Sequence, residues 1–308
     1  FYALNALTGA IIWQTNLGTP PGDYLWSSPI LFNGSVYQGV ASFGDCPLVQ
    51  GRLVQMDAIS GAIEHTTDMV PNGCIGGGIW SSPAIDPSDG SIYVTTGTPN
   101  ACNLPEMSPA IVKMRASDLT VLSSWTIPPS QLYSDPDFGA TPTLFTAVIN
   151  GVQRDLVGAL DKNGLFYAWD RSDLAAGPVW ETRIANPAGG PLSIVSASWD
   201  GTRLYVGGGN AIINGVSCYE NISALDPATG AFIWRDCVQG SMTSGITEVP
   251  GVLIQPYGAV GNLLFINPVS GAVLRNYSPG GWPEGEVTVS NGIVYLTLTS
   301  GNLIALGQ

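Results

Sequence analysis

Lysine and histidine are nearly missing from this chain of 308 residues. It carries two lysines, Lys113 and Lys162, and one histidine, His65. With 10 basic against 23 acidic residues the net charge is -13. Nucleic acid is excluded as a partner, because a phosphate backbone needs a basic face. One histidine also rules out any metal centre built on several imidazoles. No apolar run reaches the roughly 18 residues of a membrane-spanning helix. The five cysteines, Cys46, Cys74, Cys102, Cys218 and Cys237, never fall as C-x-x-C or C-x-x-C-H. That excludes zinc ribbons, thioredoxin-type redox motifs and attached c-type haem. Charged residues are only 11% of the chain.

Glycine and proline are abundant, at 39 and 23 residues, beside a hydrophobic content of 45%. Few charges and many turn-formers suit an all-β chain. Cysteines scattered through loops, with lysine so scarce, point to an oxidising, extracytoplasmic setting.

Self-similarity then defines the architecture. "YALNALTGAIIWQTNL" (2–17) returns as "LVQMDAISGAIEHTTD" (53–68), "IVKMRASDLTVLSSWTI" (111–127) and "LFYAWDRSDLAAGPVWETRI" (165–184). "ISALDPATGAFIWRDCV" (222–238) and "LLFINPVSGAVLRNYS" (263–278) follow, and "GNLIALGQ" (301–308) is half of another copy. Each unit is a strand, a short turn ending in glycine or a substitute, and a strand, and most are preceded by a strand pair that carries Asn-Gly or Asp-Gly hairpin signals. Four strands repeating about every 40–60 residues is the pattern of a β-propeller. With strands lettered a to d from the axis outward, the motif is c–turn–d. The expectation is one propeller domain over 1–308, seven-bladed, or eight-bladed if more sequence precedes it, with the first blade incomplete at its N-terminus. His65 stands where Trp13 and Trp234 stand in other copies, four places after the turn glycine. It is therefore read as a packing position rather than a catalytic one.

The repeat "LDPATGAFIW" (225–234) resembles the tryptophan-docking motif of the pyrroloquinoline quinone (PQQ) propellers. That superfamily holds quinoprotein alcohol dehydrogenases, polyvinyl alcohol dehydrogenases and a bacterial outer-membrane assembly lipoprotein. Three stretches are similar to the dehydrogenases in particular, and with the repeats the resemblance covers nearly the whole chain. "GGGIWSSPAIDPSDGSIYVTTGTPN" (76–100) matches the segment whose tryptophan stacks under PQQ, here Trp80. "SDPDFGATPTLF" (134–145) matches the segment of the catalytic aspartate, here Asp137, which is also the one candidate metal ligand. "ALDKNGLFYAWDRSD" (159–173) matches the segment whose cation contacts the quinone, here Lys162.

The resemblance implies an alcohol oxidation with PQQ and Ca²⁺. Trp80 would be the stacking platform, Lys162 would stabilise charge developing on the quinone oxygen, and Asp137 would be the general base. Trp80, Asp137, Lys162 and Thr98 all fall on b–c or d–a connections, which lie at one face of a propeller. Thr98 stands where the family has a Ca²⁺-binding asparagine, and Gln50 stands near the place of its arginine. Within "ASFGDCPLVQGRLV" (41–54) the acidic Ca²⁺ ligand has no counterpart, although Asp45 lies nearby, and Cys46 is single where the family has adjacent cysteines. The alternative is a cofactor-free propeller serving as an extracellular binding, scaffold or assembly module. The partner is then a protein rather than a small alcohol or polymer. For the cysteines, the expected bridges are Cys218–Cys237 and Cys46–Cys74 with Cys102 left over, or Cys102 pairing Cys74 instead.

Overall fold

A computed structural model describes residues 1–19, 21–99, 102, 107–133, 135–187, 193–258 and 261–307. Its regular structure is almost entirely antiparallel β. The repeats become four-stranded meanders whose neighbours in sequence are neighbours in the sheet. In these four-stranded sheets the c–d motif read from sequence is the third and fourth strand.

The chain divides into two compact units. The first holds the pair Tyr2–Leu4 and Ile11–Gln14 and two sheets. One sheet runs Ile30–Phe32, Ser35–Ser42, Arg52–Asp57 and Ile63–Asp68, with Asp23–Tyr24 pairing beyond the end of its first strand. The other runs Ala84–Asp86, Ser91–Thr95, Ala110–Arg115 and Val121–Thr126. The second unit holds Thr143–Ile149, Val152–Leu160, Leu165–Asp170 and Trp180–Arg183. It continues with Ser198–Trp199, Leu204–Gly208, Glu220–Leu225 and Phe232–Val238, then Thr247–Val249, Val252–Tyr257, Asn262–Ile266 and Val273–Tyr277. The three strands Pro283–Ser290, Ile293–Leu298 and Leu303–Leu306 complete it. A hairpin, Ala211–Ile213 with Val216–Cys218, is inserted between strands b and c of the sheet that contains Glu220–Leu225.

Strands b and c are buried on both faces, whereas strand d is largely exposed, as Ser35–Ser42 and Ile63–Asp68 show. Sheets pack face to face through apolar clusters. In the first unit Tyr37, Leu53, Ile79, Ile92, Val94 and Val112 belong to one such cluster. In the second, Tyr205, Ile222, Leu253 and Leu264 belong to another.

The c–d turns explain the repeat chemically. Asn5, Asp57, Asp226 and Asn267 each accept backbone N–H bonds from residues two and three places on, forming Asx turns. The glycines that follow, Gly9, Gly61, Gly230 and Gly271, have φ between 70° and 76°, the left-handed region that glycine enters without strain. Glycine is needed a second time at three of them. A Cβ on Gly61, Gly230 or Gly271 would lie 2.4, 2.5 or 2.8 Å from Cε3 of Trp13, Trp180 or Trp234. The same indoles donate to the turns they cover, at Ala58 O (3.1 Å), Pro227 O (3.0 Å) and Pro268 O (2.9 Å). Each tryptophan thus docks one repeat onto the next. At the second copy His65 is exposed, and Thr67 donates to Leu119 O at 2.8 Å, the same bond that Thr15 and Thr182 make to Gly61 O and Gly230 O beside their tryptophans.

Candidate functional site

The first unit brings Trp80, Thr98 and Asp137 together around Gly97. A Cβ on Gly97 would lie 2.7 Å from Trp80 Nε1 and 2.9 Å from Asp137 Cγ, so both side chains press on a backbone that has no room for more. Gly97 is itself held to the Trp80 segment, its N–H donating to Gly78 O at 2.8 Å. Asp137 is only 6% exposed, and its Oδ1 accepts the Thr98 N–H. An oriented, largely dehydrated carboxylate beside an indole is a useful pair for proton abstraction.

Thr98 is the organiser of this cluster. It has a left-handed φ of 38°, and its carbonyl accepts from Gly77 N (2.9 Å) and Ser108 Oγ (2.6 Å). Its hydroxyl turns to Asp45, 3.0 and 3.2 Å from the two carboxylate oxygens. Ser42 Oγ donates to the same carboxylate at 2.7 Å. One threonine therefore holds two acids, Asp137 through its N–H and Asp45 through its hydroxyl. Asp45 was visible in the sequence only as a displaced acid.

Gln50 lies at the edge of the cluster. Its Nε2 donates to Val70 O and Pro71 O at 3.0 and 3.2 Å, and it forms a parallel bridge to Gly76. Its amide donors are committed to tethering the glycine-rich segment that leads to Trp80.

The expected Cys46–Cys74 bridge is corrected. Cys74 pairs with Cys102, at a Cα separation of 5.8 Å that suits a disulfide, while Cys46 is an exposed free thiol. A sulfur bonds only once, so the alternative pairing takes Cys74. This bridge ties the segment before Gly76 to the loop that follows Thr98. Cys218–Cys237 forms as expected.

Lys162 belongs to the second unit. Its turn is not a solvated tip: Asp161 and Asn163 are buried, and the lysine side chain is 12% exposed. Asn163 donates to Tyr167 Oη at 2.8 Å and accepts from Leu165 N. Nζ lies 3.0 Å from both carboxylate oxygens of Asp135, which is in the same unit and two places before Asp137 in the chain. Sequence reasoning passed over Asp135. The signal was the first acid of "DPDFG", overshadowed by the second.

No protein-family model matches the sequence. A polyvinylalcohol dehydrogenase from Pseudomonas sp is 28% identical over 304 residues, covering 82% of this chain and 46% of the relative. Another, from Sphingopyxis sp. (strain 113P3), is 26% identical over 316 residues with the same coverage. The chain spans about half the length of these curated relatives. The solved quinohemoprotein alcohol dehydrogenase of Comamonas testosteroni superposes with a TM-score of 0.78 at 17% identity, over 96% of this chain and 59% of that one. The chain has the β-propeller fold of the quinohemoprotein alcohol dehydrogenases. In this fold the docking tryptophans, the Asx-glycine turns and the four-stranded meanders are one device repeated.

The residues around Gly97 suit a flat aromatic cofactor. Trp80 is partly exposed and held at its edge, as a stacking platform must be. A Ca²⁺ cage is a different matter. Ca²⁺ takes six to eight oxygen ligands, and among the described residues no three His, Cys, Asp or Glu side chains group to hold a metal ion. The Thr98 hydroxyl is directed at Asp45. Among the described residues the donor set does not form a Ca²⁺ cage, so no chemical step below depends on one.

Proposed function

We propose that this propeller is the catalytic part of an exported PQQ-dependent dehydrogenase that oxidises carbinol groups, with Asp137 as the proton acceptor. The supporting observation is the meeting of Trp80 and Asp137 on Gly97, with the Thr98 N–H fixing the carboxylate. PQQ, when bound, supplies the two-electron acceptor. Trp80 offers it an aromatic face. Asp137 takes the hydroxyl proton of the substrate as hydride leaves the carbinol carbon. Thr98 keeps that carboxylate in one orientation through its N–H. The names of the relatives make a polymeric secondary alcohol a candidate substrate. Two disulfides support an extracytoplasmic location, and among the described residues no helix is long and apolar enough to cross a membrane.

The test is dye reduction by the PQQ-loaded chain supplied with secondary alcohols. Wild type reduces the dye and Asp137→Asn loses roughly 10²–10⁴-fold of the rate. Undiminished turnover in Asp137→Asn overturns the assignment of the base. Complete lack of PQQ-dependent turnover favours the cofactor-free binding module instead.

A further inference from the structure

Three aromatic rings stand in the open at one edge of the first unit. Tyr24, Trp26 and Phe43 are 43%, 51% and 50% exposed. They are nevertheless fixed. The Tyr24 ring centroid is 4.8 Å from those of Trp26 and Phe43, and Trp26 and Phe43 stack at 5.6 Å with 9° between planes. The Trp26 N–H donates to Ser42 O at 3.0 Å. Beneath them Asp23 is clamped by Arg52 at 3.2 Å and accepts the Thr19 N–H at 2.6 Å. That clamp holds the pairing of Asp23 with Ser42 and Tyr24 with Ala41. Rings locked in this way lose little freedom when a ligand covers them. Clustered apolar exposure of this kind marks a binding surface.

The location narrows the choice of ligand. Ser42, to which Trp26 is bonded, donates to Asp45; Asp45 accepts from Thr98; and the Thr98 N–H holds Asp137. An unbroken series of contacts within one unit therefore links the aromatic platform to the candidate base. A chain lying across both would place C–H faces on the rings and hydroxyls against the Asp45 carboxylate. The net charge of -13 disfavours a polyanion.

We propose that Tyr24, Trp26 and Phe43 form a remote subsite that holds a neutral, hydroxyl-bearing hydrocarbon chain while one of its carbinols is presented to Asp137. The catalytic consequence rests on the dehydrogenase reading above; the binding does not. Such a subsite would let the protein favour a polymer over a short alcohol by spending binding energy away from the reacting carbon.

The experiment uses the 308-residue chain and short poly(vinyl alcohol) oligomers, with 2-butanol and a soluble dextran as comparisons. Binding to the cofactor-free chain is followed by calorimetry and tryptophan fluorescence. Oligomers are expected to bind more tightly than dextran, and Trp26→Ala and Phe43→Ala should each weaken them about tenfold. Trp26→Phe should retain most of the affinity, and circular dichroism should show all three variants folded. In the PQQ-loaded chain the alanine variants should raise KM for oligomers while leaving turnover of 2-butanol unchanged. Equal oligomer affinity in wild type and both alanine variants overturns the subsite. So does dextran binding as tightly as the oligomers, or a platform covered by self-association that oligomers do not displace. If oligomers bind through Trp26 but no PQQ-dependent turnover is found, the dehydrogenase reading fails and the subsite stands. If oligomers turn over equally well in Trp26→Ala and Phe43→Ala, the outcome is reversed.

Discussion

Glu220 should make this protein less stable as the pH rises from mildly acidic to mildly alkaline. The residue opens strand Glu220–Leu225 and is completely buried. Loss of hydration raises its pKa from 4.5 to about 8, against the smaller opposing effects of the Met242 N–H and the Ser241 hydroxyl. The Met242 bond reaches Oε2 at 2.6 Å, while Oε1 has no hydrogen-bond partner among the described residues. Between these two pH values the folded chain keeps a proton that the unfolded chain releases. Stability is therefore full below the unfolded value and falls as pH climbs toward the folded one. Each pH unit inside the window costs about 1.4 kcal/mol, so the whole transition costs a few kcal/mol. Urea unfolding of wild type and Glu220→Gln at pH 5, 6, 7 and 8 isolates this group, because other titrations cancel in the difference. The glutamine variant should gain on wild type steadily from pH 5 to 8. A difference that does not change with pH would refute the burial argument.

Other expectations are equally specific. Gly97→Ala should disrupt the cluster, since its methyl group would lie 2.7 Å from Trp80 Nε1; overpacking of this kind costs about 1–3 kcal/mol, read as lowered thermal stability with loss of PQQ binding. Titration of the native chain with a thiol reagent should find one accessible thiol, Cys46, and Cys46→Ser should abolish the signal. Replacing Cys218 and Cys237 by serine opens a bridge with a sequence separation of 19 and should destabilise the chain by about 3 kcal/mol, measured by urea unfolding. Trp180→Ala removes both the stack on Gly230 and the bond to Pro227 O and should cost about 3–5 kcal/mol; a loss below 1 kcal/mol would show that the docking contact is incidental.

Much of the fold was legible because the repeat is chemical as well as statistical. An Asx residue, a left-handed glycine and a tryptophan at fixed spacing leave few other conformations open, and the structure uses each as the pattern suggests. The approach of Trp80 and Asp137 was legible too, as matching segments on loops at the same end of their sheets. What sequence could not supply was the use of short polar side chains. Thr98 looks like a poor cation ligand in a linear reading, yet its left-handed backbone lets it hold Asp45 and Asp137 at once. Asp135 was hidden by its neighbour, and Cys74 had two possible partners that only distance could separate. Nothing in the run "SCYENIS" marks Glu220 as buried, because its burial follows from the sheets packed around it.

The most direct test is the melting temperature of the purified chain with and without PQQ. If Trp80 is a cofactor platform, PQQ at about 100 times its dissociation constant should add about 2.7 kcal/mol of stability, a rise of a few degrees, and Trp80→Ala should remove that rise. No shift at saturating PQQ, or the same shift in Trp80→Ala, would contradict it.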